Sequence, residues 1–475
     1  MNGGRSQRGL GAPAVVLTWL GVAATYLATA TYSIHQNVDT ISTLIPAWSL
    51  GQRGTLAIPE FAGATPWIHA FGDQVYADRL PGAIVFTAPS YWLLGTPDAP
   101  AYVPAGLTAA LVTASAVTVL AVVLARLTSR PVAIGGALLL GFGTGTWTVS
   151  ADAVWTHGFD QLAIACVLWA AQRRRWWLCG LAFGAGVFTR PHLALAAAVV
   201  GLWVGIAGRS WRPVLGVGVG SALWLVPLAA YWNLLHGQPS VLGSYSGHVD
   251  GALSLDPAGW ATNIAGTLVS PSRGLFVLSP FLLLLLPGLR AGWRDAPDWV
   301  RASAVGGLAF MAAQLGGNYF AGGSNFYSYR LSLEWLTLTV PLLALSWVRW
   351  TAVRPWRRAA FAVLAAFSVA QHAVGAFVLV DPHDPATRAW TRYLLIDGLR
   401  QASPPQAGVL AAVVAGLAYT VWRMLRTGGA GSALSVAGGE PAAAASGSPV
   451  EQPGVPGRTS SGSPVEQARE PVGQV

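Results

Sequence analysis

Asp39 is the first residue whose type and setting suggest chemistry. It lies in His35-Gln36-Asn37-Val38-Asp39-Thr40, a few residues beyond the first long apolar run. The stretch after it, Ile41 to Trp48, has the pattern of an amphipathic helix on a membrane surface. A carboxylate at that edge, partly removed from water, suits general-base work on a hydroxyl. The same position also fits a helix cap, because Asp often precedes a helical run. Asp73 and Asp78 are reserve acids in the same polar stretch. Arg190, Arg273 and Arg330 form a second constellation, each at the end of an apolar run. An unpaired guanidinium is costly in lipid, and its planar fork makes bidentate, charge-assisted hydrogen bonds to phosphate. The competing reading is snorkelling to lipid headgroups. A third set is Asp152, His157 and Asp160, where His157 and Asp160 are spaced to share a helical face. Such a pair equally serves to fix a short helix end. Asp381-Pro382-His383-Asp384 carries metal-ligand residue types, but a Pro-rich turn explains it as well.

These groups are embedded in a chain that cannot be an ordinary soluble enzyme. Of 475 residues, 53% are hydrophobic and 10% charged, with a mean hydropathy of +0.50. A soluble domain carries about 25% charged residues. The net charge is +9, and all 28 basic residues are arginine, a usage that looks like GC-rich coding bias. Cys166 and Cys179 both lie in apolar segments and give neither a disulfide framework nor a metal spacing. P-loop, dinucleotide, His-Glu-x-x-His and Gly-x-Ser-x-Gly motifs are absent.

The apolar runs predict an all-α membrane protein with about twelve transmembrane helices. The first, Gly11–Ala30, comes after basic Arg5 and Arg8 and is read as an uncleaved span. The others are Tyr102–Ala125, Val132–Thr148, Val154–Ala171, Trp176–Phe188, Pro191–Ala207, Val214–Leu235, Gly274–Leu289, Ala302–Phe320, Leu331–Val348, Ala359–Val380 and Gly408–Met424. Arginine fixes the orientation, since cytoplasmic loops are rich in it. Twelve spans put the clusters Arg5/Arg8, Arg126/Arg130, Arg173-Arg174-Arg175, Arg209/Arg212, Arg290–Arg301, Arg349–Arg358 and Arg423/Arg426 on one side. Merging the fifth and sixth spans across Thr189-Arg190-Pro191 would break this pattern. Both termini are therefore expected in the cytoplasm, and Asp39 outside. The charge distribution points to membrane orientation, not nucleic acid. The first outer loop runs from Thr31 to about Ala101, and its apolar Gly82–Gly95 stretch is expected to be an interfacial helix. The expected domain organisation is a polytopic unit over residues 1–426 and a disordered cytoplasmic tail, 427–475, rich in Gly, Ala, Ser, Pro and Glu.

The first outer loop resembles that of polytopic GT-C glycosyltransferases, namely bacterial ones distantly similar to protein O-mannosyltransferases and lipid A aminoarabinose transferases. The residues that carry the resemblance are Arg53-Gly54-Thr55-Leu56-Ala57-Ile58, Tyr76 to Pro81-Gly82, Ala88-Pro89 and Leu93-Leu94-Gly95. Three later segments agree: Gly184 to Val187-Phe188-Thr189-Arg190-Pro191, Ser270-Pro271-Ser272-Arg273-Gly274-Leu275-Phe276, and Gly322-Gly323 to Tyr329-Arg330-Leu331. Many relatives have Tyr-Ser-Lys-Tyr-Pro-Pro-Gly where this chain has Tyr76-Ala77-Asp78-Arg79-Leu80-Pro81-Gly82. Arg79 thus stands beside the position of their lysine. Many also carry paired acids in this loop, whereas Asp39 has no adjacent acid.

The resemblance implies a catalyst outside the bacterial plasma membrane. It would move a sugar from a polyprenyl-phosphate donor to an acceptor hydroxyl on an envelope glycan, lipid or protein. Asp39 would be the base of an inverting transfer. Arg273 and Arg330 would stabilise the departing phosphate, with Arg79, Arg190 and His157 as further substrate contacts. A divalent metal ion is the one cofactor that the resemblance leaves open. Some superfamily members use a divalent metal ion, but no spacing here demands one. A transporter or lipid flippase, and a non-catalytic homologue within an envelope assembly, are the rival readings.

Overall fold

The computed structural model describes residues 9–243, 246, 251, 256–378 and 389–431. The chain divides into two units, Met1–Arg426 and Thr427–Val475. Of the second, only the end of a helix is described. The remainder of the expected tail lies outside the described residues, as does Asp381-Pro382-His383-Asp384.

The first unit is helical. Helix α1 (Ala12–Thr29) leads through a short link to α2 (Val38–Arg53) and α3 (Pro81–Leu94). Next come α4 (Tyr102–Leu124), α5 (Arg130–Phe142), α6 (Thr156–Gln172), α7 (Trp176–Thr189), α8 (Leu193–Ala207), α9 (Trp211–Ala222) and α10 (Leu225–His236). The later helices are α11 (Pro257–Val269), α12 (Leu275–Leu278), α13 (Leu289–Asp295), α14 (Asp298–Gly317), α15 (Leu333–Ser346), α16 (Pro355–Phe377), α17 (Leu394–Gln401) and α18 (Pro404–Gly431). By length and composition, five helical stretches are long and apolar enough to cross a membrane: Ala12–Thr29, Tyr102–Leu124, Trp211–His236, Pro355–Phe377 and Pro404–Trp422. The protein is an integral membrane protein.

Shorter apolar helices complete the bundle. Helix α7 has 14 residues, roughly 21 Å of rise, less than the ~30 Å hydrocarbon core. It stops at Thr189, and α8 begins only at Leu193, because Pro191 cannot continue the helical hydrogen bonding. The fifth and sixth apolar runs are therefore separate helices. The expected span Gly274–Leu289 is not one helix. It is the single turn α12, then 3-10 turns at Pro280–Leu284 and Leu286–Gly288. Pro280 and Pro287 each remove a backbone donor, which breaks the α-helical ladder there.

The loop between α1 and α4 departs from expectation in two ways. Helix α2 is not a surface helix: Leu44, Ile45, Ala47 and Trp48 are buried together with Ile84 and Tyr91 of α3. The loop also holds a hairpin, β1 (Ile68–Phe71) paired antiparallel with β2 (Gln74–Ala77), in register Ile68 to Ala77. Gly72, with φ of 61°, makes its two-residue turn with Asp73.

Candidate active site

Asp39 sits in the first turn of α2. The helix cap is Asn37, whose side chain accepts a hydrogen bond from the Asp39 backbone N–H at 2.7 Å. The capping explanation for Asp39 is thereby taken by its neighbour, and the Asp39 carboxylate is free for other partners. Those partners are two arginines from distant parts of the chain. Arg79 Nη1 lies 3.1 Å from Asp39 Oδ1, and Arg330 Nη1 donates to Asp39 Oδ2 at 2.8 Å. Residue Asp39 is 9% exposed. Burial alone would raise its pKa. Arg79 and Arg330 outweigh that and hold the carboxyl well below the usual carboxylate range.

Each arginine is fixed by its surroundings. Arg79 comes just after β2, and its guanidinium lies 5.2 Å from the Trp67 ring centroid. Tyr231 of α10 donates its hydroxyl to the carbonyl of Arg79 at 2.8 Å, which holds the backbone there. Arg330 packs its guanidinium 4.7 Å from the Trp155 ring centroid and 5.4 Å from that of Phe326. The segment that delivers it turns sharply at Gly322 and Gly323, with φ of 65° and 92°. Asn37 donates its side-chain amide to the carbonyl of Ser324, so the start of α2 and this segment are tied together.

Arg273 is buried against the same segment. Its Nη1 donates to the carbonyls of Phe326 and Ser328, both at 2.8 Å, and its guanidinium stacks 3.9 Å from the Phe326 ring centroid. Phe326 is thus a shared face for Arg273 and Arg330. The reserve acids are placed differently. Asp73 is exposed at the hairpin turn. Asp78 faces His236 Nε2 at 3.7 Å and His69 Nε2 at 4.0 Å. Asp152 accepts from the Thr31 hydroxyl at 2.7 Å and so ties the end of α1 to the turn before α6.

A second charged cluster lies in the helical bundle. His157 and Asp160 do share α6, but their hydrogen bonds go to different partners. His157 Nδ1 donates to Glu334 Oε1 at 2.7 Å. Arg190 Nη1 donates to the same oxygen at 2.9 Å, and Arg190 Nε lies 3.9 Å from Asp160 Oδ2. Asp160 accepts from the Thr189 hydroxyl. His157, Asp160 and Glu334 are each 0% exposed. Trp155 joins the two clusters: it stacks on Arg330, and its ring centroid lies 6.2 Å from that of His157.

Glu334 is a site residue that sequence reasoning missed. Its signal is an acid near the start of the apolar run Leu331–Val348, and an ionisable residue in a span is a functional candidate by default. Among the described residues, no group of three or more His, Cys, Asp or Glu side chains is placed to hold a metal ion. Asp39 with two guanidiniums is a poor donor set for a divalent cation, which needs several oxygen ligands.

The geometry belongs to a predominantly helical membrane fold in which Asp39 of α2 meets Arg79 after β2 and Arg330 before α15. The chain is similar in structure to ArnT from Cupriavidus metallidurans, solved in the apo state, with a TM-score of 0.50 and 16% sequence identity. The likeness covers 87% of this chain and 72% of that one. No protein-family model matches the sequence, and no curated protein matches it.

Proposed function

We propose that the protein is a membrane glycosyltransferase that moves a sugar from a polyprenyl-phosphate donor to a hydroxyl of an envelope acceptor. The reaction takes place at the extracytoplasmic face, with twelve crossings and both termini in the cytoplasm. The observation that carries this reading is one buried carboxylate, Asp39, held between Arg79 and Arg330 in a GT-C-like fold.

In this scheme the acceptor hydroxyl attacks the anomeric carbon, its proton passes to Asp39, and the bond from that carbon to the phosphate oxygen breaks with inversion. The lipid phosphate leaves carrying the bond's electron pair. Arg79 and Arg330 are the cations in reach of that charge, and paired hydrogen bonds from guanidinium to phosphate stabilise it as it develops. A carboxylate gripped by two arginines is a weak base. The donor phosphate competes for the same guanidiniums, and as they turn toward it Asp39 regains basicity. Arg273 supports Arg330 through Phe326 and adds positive potential. His157 and Arg190 form the inner wall behind Trp155.

The experiment is a transfer assay on the full chain in proteoliposomes, with a panel of polyprenyl-phosphate sugars. Transfer from at least one donor, absent without protein, is expected. Asp39 lacks the neighbouring acid that many relatives carry, which favours a non-catalytic envelope subunit as the second reading. Binding of donor with no transfer from any of the panel would select it.

A further inference from the structure

Glu334 is a fully buried carboxylate with one oxygen engaged by two groups, His157 at 2.7 Å and Arg190 at 2.9 Å. These come from three separate parts of the bundle: α6, the turn after α7, and the start of α15. Glu334 is also about one helical turn beyond Arg330, the residue that reaches Asp39. Arg190 and Arg79 carry the same charge as Arg330, which is held against Trp155 while Arg190 bonds the Glu334 carboxylate four residues further along the chain. In the low-dielectric interior repulsion between like charges is strong and poorly screened. Asp39 is already shared by Arg79 and Arg330, so loss of the Glu334 charge would leave Arg190 as a further positive charge close to that pair, offset only in part by Asp160 at 3.9 Å.

We propose that Glu334 is a positioning residue for the transfer site: it neutralises Arg190 and keeps it on the inner wall, so that Arg79 and Arg330 set the charge presented to the donor phosphate. This deepens the glycosyltransferase reading and rests on it for the identity of the anion. The contact geometry supports the role. Arg190 directs Nη1 to Glu334, while Arg330 directs Nη1 to Asp39. Trp155 stands between His157 and Arg330, so the two ion-paired groups share a wall but not a carboxylate.

A merely structural ion pair and a charge-positioning one respond differently to removal. Loss of a purely structural contact loosens the site and weakens ligand binding. Loss of the Glu334 charge removes the shorter of two acid contacts of Arg190, leaving the one to Asp160 at 3.9 Å, so the local positive charge rises and anion binding strengthens. Glu334→Gln keeps the shape of the side chain and removes the charge. Binding of a polyprenyl monophosphate to the full chain in nanodiscs, read by tryptophan fluorescence, is therefore expected to tighten at least about threefold in Glu334→Gln. Arg190→Gln added to Glu334→Gln is expected to return the affinity to within about twofold of wild type. Arg190→Gln alone leaves the Glu334 charge uncompensated and should weaken binding at least about threefold. The Arg190→Gln and double-variant pair decides the matter if Glu334→Gln does not fold.

A ligand-free readout accompanies this. In thermal unfolding, Arg330→Gln should cost less in a Glu334→Gln background than in wild type, because it then relieves repulsion from Arg190. Non-additivity between contacting or coupled sites is the signature. Unchanged or weaker phosphate binding in folded Glu334→Gln, no return in the double variant, or additive thermal effects overturns the inference. If wild type binds the lipid phosphate but transfers no sugar, the glycosyltransferase reading falls, and the role of Glu334 is still judged by the binding series. If wild type does not bind the lipid phosphate, the donor reading falls, and the thermal cycle judges Glu334.

Discussion

Arg330 donates to Asp39 at 2.8 Å across 291 residues of chain. This contact ties the segment just before α15 to the start of α2, in the connection between α1 and α4. The aromatic rings of Trp155 and Phe326 cover the guanidinium on the other side. Among the described residues Arg330 thus pairs with one carboxylate, and in the proposed scheme it exchanges this internal anion for the donor phosphate.

Arg330→Lys keeps the charge and loses the fork. A hydrogen bond to a charged group is worth about 1.5–3 kcal/mol, roughly 10- to 150-fold in affinity. Binding of a polyprenyl monophosphate in nanodiscs should weaken by that order in Arg330→Lys, and further in Arg330→Gln. Unchanged affinity in both would mean that Arg330 serves Asp39 alone.

The pairing of Asp39 also sets an acid dependence. Its folded pKa is depressed, so its contribution to stability is complete above the unfolded value of about 3.9. That contribution is lost as pH falls through the folded value. The difference in Tm between wild type and Asp39→Asn should therefore be flat from about pH 8 to pH 5 and shrink only below about pH 4. A difference that already changes near neutral pH would contradict the ion-paired state.

Gly82 allows the N-terminal end of α3 to touch the end of α7. A Cβ there would lie 2.8 Å from the Phe188 carbonyl oxygen and 2.8 Å from the Thr189 nitrogen, both backbone atoms. Gly82→Ala must push α3 away from the turn that carries Arg190. The expected cost is about 1–3 kcal/mol, read as a lowered Tm of the purified protein. An unchanged Tm would show that this contact is not tight.

The proposed orientation is open to cysteine labelling in a background lacking Cys166 and Cys179. Asp98 and Ser129 are both exposed, at opposite ends of α4. Asp98→Cys should react with a membrane-impermeant thiol reagent in intact cells, and Ser129→Cys only after permeabilisation. The reverse pattern would place Asp39 in the cytoplasm and remove the proposed setting.

Much of the fold is legible in the sequence because lipid imposes a simple code. Long apolar runs such as Tyr102–Ala125 and Ala359–Val380 fold as helices close to their expected bounds. Thr189-Arg190-Pro191 separates α7 from α8 through proline chemistry alone. The Gly274–Leu289 run misleads because hydropathy does not register Pro280 and Pro287, and the chain there forms short turns. The hairpin at Ile68–Ala77 carries a two-residue Gly72-Asp73 signal that the apolar pattern around it obscures. Asp39 and Arg79 stand out by type and place, but their pairing is long-range and has no sequence signature. Glu334 reads in the sequence as one more acid near an outer helix end, although its side chain is fully buried between α6 and α15.

Asp39→Asn tests the central claim most directly. Asn is nearly isosteric, and the α2 cap is supplied by Asn37, so the helix start should persist. A general base contributes about 10²–10⁴-fold in rate. Turnover measured with a donor that wild type uses should fall by at least about a hundredfold, while polyprenyl-phosphate affinity is retained or increased, because the phosphate no longer competes with the Asp39 carboxylate for Arg79 and Arg330. Asp73→Asn and Asp78→Asn, tested in parallel, should retain turnover. Full turnover in Asp39→Asn would contradict Asp39 as the base, and if Asp78→Asn alone were inactive the base would move to that residue.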